Sequence, residues 1–200
     1  MTDARHPDDP DARTIGLLGG SFNPAHKGHR GLSLFALEQL ALDEIWWLVS
    51  PQNPLKPVDG MAPLSARLAA ARALAAHPQI HVTDIEARLG TRFTVDALEQ
   101  LAESYPAARF VWLMGADNLA QVDKWHRWRD LFDLAAVAVI DRPGHTEAAL
   151  TSPASKALAE HRYTGPLAQL AQQPLPAWAF VTGFRDPTSA TALRQSRPRG

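Results

Sequence analysis

Short, unbroken apolar runs recur along this chain, separated by longer stretches with helical periodicity. The runs fall at 14–18, 45–49, 80–82, 109–114, 135–140 and 178–181. Such alternation predicts an α/β fold, a parallel sheet covered by helices. The fourth and fifth runs are apolar at successive rather than alternate positions, which marks strands buried on both faces.

Between the first two runs, Leu32, Phe35, Ala36 and Leu40 share one helical face, predicting a helix from about 28 to 40. Pro63 suits the first turn of a second helix with Leu64, Leu68, Ala71 and Ala75 inward. Thr94 is the expected N-cap of a third, which buries Val95, Leu98 and Leu101. The segment 143–176, rich in proline and weak in periodicity, gives no firm assignment. Together these predict a Rossmann-like, doubly wound and mainly parallel sheet with helices on both faces.

Composition narrows the class. The 200 residues fit one domain, and 46% hydrophobic with 20% charged residues places the chain among globular proteins. The 20 Lys and Arg balance 21 Asp and Glu, so there is no basic field for nucleic acid, and no nucleic-acid partner is expected. No apolar run reaches membrane-spanning length, so no membrane partner is expected either. The absence of cysteine excludes disulfides, thiolate metal sites and a cysteine nucleophile, and it suits a cytoplasmic location. The polar stretch 1–13 lacks the apolar core of a signal peptide and is expected to be a disordered tail ahead of a single domain at 14–200. A homo-oligomer is compatible with all of this.

The chemistry concentrates in Gly19-Gly20-Ser21-Phe22-Asn23-Pro24-Ala25-His26-Lys27-Gly28-His29, which follows the first run and opens the first helix. Open α/β sheets bind ligands at this place, outside the strand C-termini. Gly19 and Gly20 allow backbone to pass close to phosphates, and the helix start offers N–H groups and a positive dipole end to an anion. His26 and His29, three apart, can face the same space and donate to a phosphate, with added positive charge if protonated. Gly28 between them lets a ligand approach. Displacement at phosphorus needs mainly positioning and neutralisation of developing charge, which this arrangement supplies without a covalent nucleophile.

The string resembles the nucleotidyltransferase superfamily marked by Gly-Gly-x-Phe-x-Pro-x-His-x-Gly-His, with Asn23 where many relatives carry Asp. Class I aminoacyl-tRNA synthetases share the His-x-Gly-His site but need a longer chain and a Lys-Met-Ser-Lys-Ser-like loop. The resemblance implies an ATP site formed by Gly19, Gly20, Ser21, Phe22, His26, Gly28 and His29. Near the C-terminus, Ser189, Thr191 and Arg194 resemble the family's Ile-Ser-x-Thr-x-x-Arg segment, which implies that they hold the β- and γ-phosphates; Thr188 replaces the usual Ile. His26, His29 and Arg194 are the implied catalytic set.

The acceptor is not specified by these motifs. Gly115-Ala116-Asp117-Asn118-Leu119 and Lys124-Trp125-His126-Arg127-Trp128 resemble the nicotinate-nucleotide adenylyltransferase branch. There the Asp meets ribose or adenine-side groups and the Trp stacks on the pyridine ring, roles implied for Asp117 and Trp125. Taken alone, Asp117 also reads as an N-cap and Trp125 as core, while Trp128 reads as core. Arg92-Phe93-Thr94 resembles the branch's Ser-Tyr-Thr segment, which implies that Thr94 meets the nicotinate carboxylate. The loop 51–56 matches the branch's substrate loop and implies that Lys56 meets the acceptor phosphate. Phosphopantetheine adenylyltransferases, the nearest alternative, usually carry Thr in place of the first His. The resemblance thus implies ATP and nicotinate mononucleotide as ligands, with Mg²⁺ carried on the ATP phosphates rather than in an acidic cluster.

Overall fold

A computed structural model describes residues 13–51 and 60–184. The elements follow in the order β1 (Thr14–Gly20), α1 (Lys27–Gln39), β2 (Glu44–Val49), α2 (Leu64–Ala75), β3 (Ile80–Thr83), α3 (Ile85–Leu89), α4 (Thr94–Ser104), β4 (Arg109–Gly115), α5 (Ala116–Leu119), α6 (Trp128–Leu134), β5 (Ala136–Ile140), α7 (Thr146–Leu150), α8 (Pro153–Ala157) and β6 (Trp178–Val181). All neighbouring strands pair in parallel, in the order β3-β2-β1-β4-β5-β6. The chain reverses its direction of winding between β1 and β4, and a crevice opens outside the strand ends at such a reversal.

Two apolar cores, one per sheet face, explain the continuous runs. Ile15 and Leu17 of β1 and Val137 and Val139 of β5 pack with Leu98, Leu101, Leu131 and Phe132 on one face. Leu18, Ala136, Ala138 and Ile140 face the other, with Ala36, Leu68, Ala71 and Ala75. Alternate residues of a single strand therefore serve opposite cores, and no polar alternation survives.

Three details differ from the expectations. Helix α4 begins at Thr94 with Phe93 in the cap position, and no side chain caps it. Trp128 is half-buried at the edge of the core rather than within it, edge-on to Phe132 with ring centroids 6.1 Å apart and with the Arg129 guanidinium 4.4 Å above its ring. The segment 143–176 forms α7, α8 and short 3₁₀ turns at Ala159–His161 and Leu167–Gln172. It is fastened by long-range bonds: the Trp178 indole donates to the Leu158 carbonyl at 2.8 Å and the Tyr163 N–H to the Trp178 carbonyl at 2.7 Å. No helical period precedes such anchoring in the sequence, because tertiary bonds supply what periodicity does not.

Candidate active site

The turn between β1 and α1 is built around a strained residue. Phe22 has φ +46, in the left-handed region that a bulky side chain rarely adopts and that costs on the order of 1 kcal/mol or more. Its ring is 2% exposed, stacks on Trp47 with centroids 5.0 Å apart and meets His29 at 4.7 Å. Burial of that ring offsets the backbone strain. The Trp47 indole in turn donates to Ser33 Oγ at 2.8 Å, and Ser33 Oγ donates to the His29 carbonyl at 2.9 Å. A buried aromatic stack and a hydrogen-bond relay thus fix the first turn of α1.

His26 and His29 are brought into contact, with ring centroids 3.8 Å apart and planes tilted by 36°. The His26 backbone N–H donates to His29 Nδ1 at 3.2 Å. Accepting that bond requires a lone pair on Nδ1, so the ring hydrogen is assigned to Nε2. Burial lowers the His29 pKa from 6.5 to about 3, and the adjacent His26 and the Arg142 guanidinium push the same way. His29 is therefore a neutral Nε2–H donor near pH 7 rather than a cation. It offers directed hydrogen bonding at the helix start, where the dipole already favours an anion.

Beside this turn lies a cavity of about 410 Å³. Gly19, Gly20, Ser21 and Ser50 line it together with Phe93, Thr94, Trp125, His126 and Trp128. The structure thus gathers Gly19, Gly20, Ser21, Thr94 and Trp125 at one cavity. Among the described residues, His26 and His29 stand outside its lining, as does Asp117. Asp117 pairs with Arg142, which follows β5, at 3.3 Å. Lys56, Ser189, Thr191 and Arg194 lie outside the described residues. Thr94 sits in the first turn of α4, and Trp125 follows a short 3₁₀ turn, Val122–Lys124. Arg127, at φ +48, holds the Trp125 loop to α4 and α6: it donates to Glu99 of α4 at 3.2 Å through Nη1 and to Asp130 of α6 at 2.8 Å through Nε.

Gly19 is required by close approach. A Cβ there would run into Cη2 of Trp112 and lie 3.0 Å from Cζ2, and Trp112 is only 3% exposed, so the indole would have to shift. Gly19→Ala is expected to destabilise the fold by about 1–3 kcal/mol and to shift the cavity wall. Urea unfolding alongside calorimetric ATP binding reads both effects; unchanged stability would show that Trp112 does not confine this position.

Glu86 and Arg142 went unnoticed in the sequence. Arg142 had a positional signal, since it follows a strand at the ligand-binding edge. Glu86 had none, because its place in the cavity lining depends on the packing of α3. Burial raises the Glu86 pKa from 4.5 to about 7. Between pH 4.5 and 7 the folded chain keeps a proton that the unfolded chain has released, so this contribution to stability is full below 4.5 and lost as pH climbs through 7. His29 acts in the opposite sense: the unfolded chain takes up a proton below about 6.5 that the folded chain refuses until about 3, so stability falls as pH drops across that window. Above pH 7 only the Glu86 penalty remains. Glu86→Gln is expected to be more stable than wild type at pH 8 by about 1–3 kcal/mol, with the gap closing toward pH 5. Denaturant melts across that range test this, and a gap independent of pH would assign the gain to packing.

The cytidylyltransferase-like family matches residues 17–196. A Cereibacter sphaeroides protein named "Probable nicotinate-nucleotide adenylyltransferase" is 53% identical over 180 residues, covering 90% of this chain and 96% of that one. A Parvibaculum lavamentivorans protein of the same name is 52% identical over 184 residues and 90% of each chain. Among solved structures, a Plasmodium falciparum nicotinic acid mononucleotide adenylyltransferase complexed with NaAD shares the fold, with TM-score 0.68 over 92% of this chain and 83% of the other at 16% identity. The order of strands, the paired histidines at the head of α1 and identity above half along nine-tenths of the chain lead to one conclusion: this chain belongs to the nicotinate-nucleotide adenylyltransferase family of cytidylyltransferase-like proteins.

Proposed function

We propose that this protein transfers the adenylyl group of ATP to nicotinate mononucleotide, forming nicotinate adenine dinucleotide and pyrophosphate in NAD biosynthesis. The observation that carries the reading is one cavity with the Gly19-Gly20-Ser21 turn and the Thr94 and Trp125 side chains in its walls, beside the His26–His29 pair. A flat aromatic ligand suits the indole, an anion suits the first turn of α4, and a triphosphate suits the head of α1. The close relatives bear the name of this activity.

A phosphate oxygen of nicotinate mononucleotide attacks the α-phosphorus of ATP in line. A new P–O bond forms while the bond to the β-phosphate breaks and pyrophosphate leaves. The attacking phosphate is already ionised at neutral pH, so no general base is needed. His29 donates Nε2–H to the α-phosphate as its charge grows, with His26 beside it. Asp117, oriented by Arg142, meets ribose or adenine-side groups. Ser189, Thr191 and Arg194 hold the departing pyrophosphate, and Lys56 meets the acceptor phosphate. ATP binds as its Mg²⁺ complex. The ion would sit mainly on ATP oxygens and water, the ligands Mg²⁺ commonly keeps at nucleotide sites.

No helix among the described residues is long and apolar enough to cross a membrane; a cytoplasmic location accords with the proposed substrates. The reading is tested by pyrophosphate release from MgATP with nicotinate mononucleotide, nicotinamide mononucleotide or phosphopantetheine as acceptor. Release strongest with the nicotinate compound is expected. Preference for another acceptor would keep the chemistry and overturn the roles of Thr94 and Trp125, whereas ATP binding without release would leave a nucleotide-sensing module.

A further inference from the structure

A charged residue sits where α2 needs only an apolar one. Arg67 lies among Leu68, Ala71 and Ala75 on the buried face of the helix and is 3% exposed. Its guanidinium reaches four carbonyls: Nη1 donates to Ser21 at 2.7 Å and Ser50 at 2.8 Å, Nη2 to Pro51 at 2.8 Å and Nε to Ala62 at 2.9 Å. Ser21 belongs to the turn after β1, Ser50 and Pro51 follow β2, and Ala62 precedes α2. Three separate stretches of backbone therefore meet on one planar fork. The same stretches are cross-laced nearby, by the Ser50 N–H donating to the Gly20 carbonyl at 3.0 Å and by Asn23 Nδ2 donating to the Gly60 carbonyl at 3.0 Å.

Leucine or methionine would fill this place at no desolvation cost, so packing alone does not account for a buried guanidinium. Its distinguishing property is geometry: rigidly spaced donors that fix several acceptors at once, which a lysine ammonium cannot reproduce. A trans peptide sets C=O and N–H on opposite edges. Drawing the Ser21 carbonyl onto Arg67 therefore turns the Phe22 N–H away from it, and the unusual φ of Phe22 is held from both sides, by its buried ring and by this bond. Gly19, Gly20, Ser21 and Ser50, the wall that Arg67 fastens, line the cavity.

We infer that Arg67 is a positioning residue for adenylyl transfer, its four carbonyl bonds setting the turn after β1 and the Ser50-Pro51 segment after β2 in the relative arrangement that aligns the two substrates. The inference rests on the proposed reaction, in which the substrates meet at the cavity that Ser21 and Ser50 line. Arg67 itself touches neither.

The test compares wild type with R67K, which keeps a cation without the fork, and R67M, which keeps the volume without charge. All are assayed well below their Tm values, with rates expressed per calorimetrically counted ATP site. Both variants are expected to lower kcat by roughly 10- to 100-fold, to change the ATP Kd by less than about threefold, and to speed hydrogen exchange at the Phe22 and Ser50 amides. If R67M does not fold, R67K carries the comparison. A lowered Tm with wild-type kcat per site would make Arg67 a purely structural residue and overturn the inference, as would full activity in R67K. Wild-type silence with every acceptor would instead strike down the reaction, and the exchange rates would still report whether the fork orders the two segments.

Discussion

Replacing His29 by alanine is expected to lower kcat by roughly 10² to 10³ while the fold is kept. The magnitude is that of one preorganised donor lost from a centre where charge grows. The ring is well placed for such a loss to be felt, because Phe22, His26 and Trp47 surround it and its Nδ1 is already occupied by the His26 N–H. Only Nε2 is left to act, and its hydrogen cannot relocate without breaking that bond. His29→Gln, whose amide nitrogen reaches about as far as Nε2, is expected to recover part of the rate. Because burial lowers the pKa of His29 to about 3 in the free protein, kcat/KM for ATP should show no step from its titration through the ordinary histidine range. Steady-state kinetics with circular dichroism checks the size of the effect. A folded alanine variant of unchanged rate removes His29 from the mechanism, and a fall in kcat/KM as pH rises through 6–7, absent in His29→Gln, would identify a cationic imidazole instead.

Trp125→Ala is expected to raise the KM for nicotinate mononucleotide by roughly 10- to 100-fold with the ATP Kd nearly unchanged. The indole is half-buried and packs against the edge of the core on one side while lining the cavity on the other. Its removal takes away the flat surface against which a pyridine ring would lie. Trp125→Phe, which keeps a smaller ring, should fall between the two. Calorimetry with each ligand separately decides the point, since an equal loss for both would mean that the residue supports the site as a whole. Trp128 is the internal control: it lines the same cavity, but the Arg129 guanidinium already covers a face of its ring.

Much of this was readable from the chain because strands buried on both faces leave an unambiguous trace. The runs at 109–114 and 178–181 correspond to β4 and β6 within a residue. The turn from Gly19 to His29 was equally legible, since local sequence dictates both its glycines and its helix start. Thr94 was misassigned by one position because Ser and Thr are strong cap formers by composition, whereas here the loop before α4 sets Phe93 in an extended conformation at the cap. Arg67 offered a signal that passed unnoticed: it stands three residues after Leu64 and one before Leu68, so helical periodicity places a charge on the apolar face. The burial of Glu86 and the pairing of Asp117 with Arg142 were out of reach, because they arise between segments distant in sequence.

The pairing of β1 with β4 sets Thr14 opposite Arg109, with nearly half the chain between them. That ladder joins the half of the molecule that carries the histidine turn to the half that carries Asp117 and Trp125. The crevice exists only once the central ladder has closed, and of the strand pairings this one closes the longest loop and so carries the largest loop-closure entropy. Substrate binding is thereby coupled to completion of the whole topology.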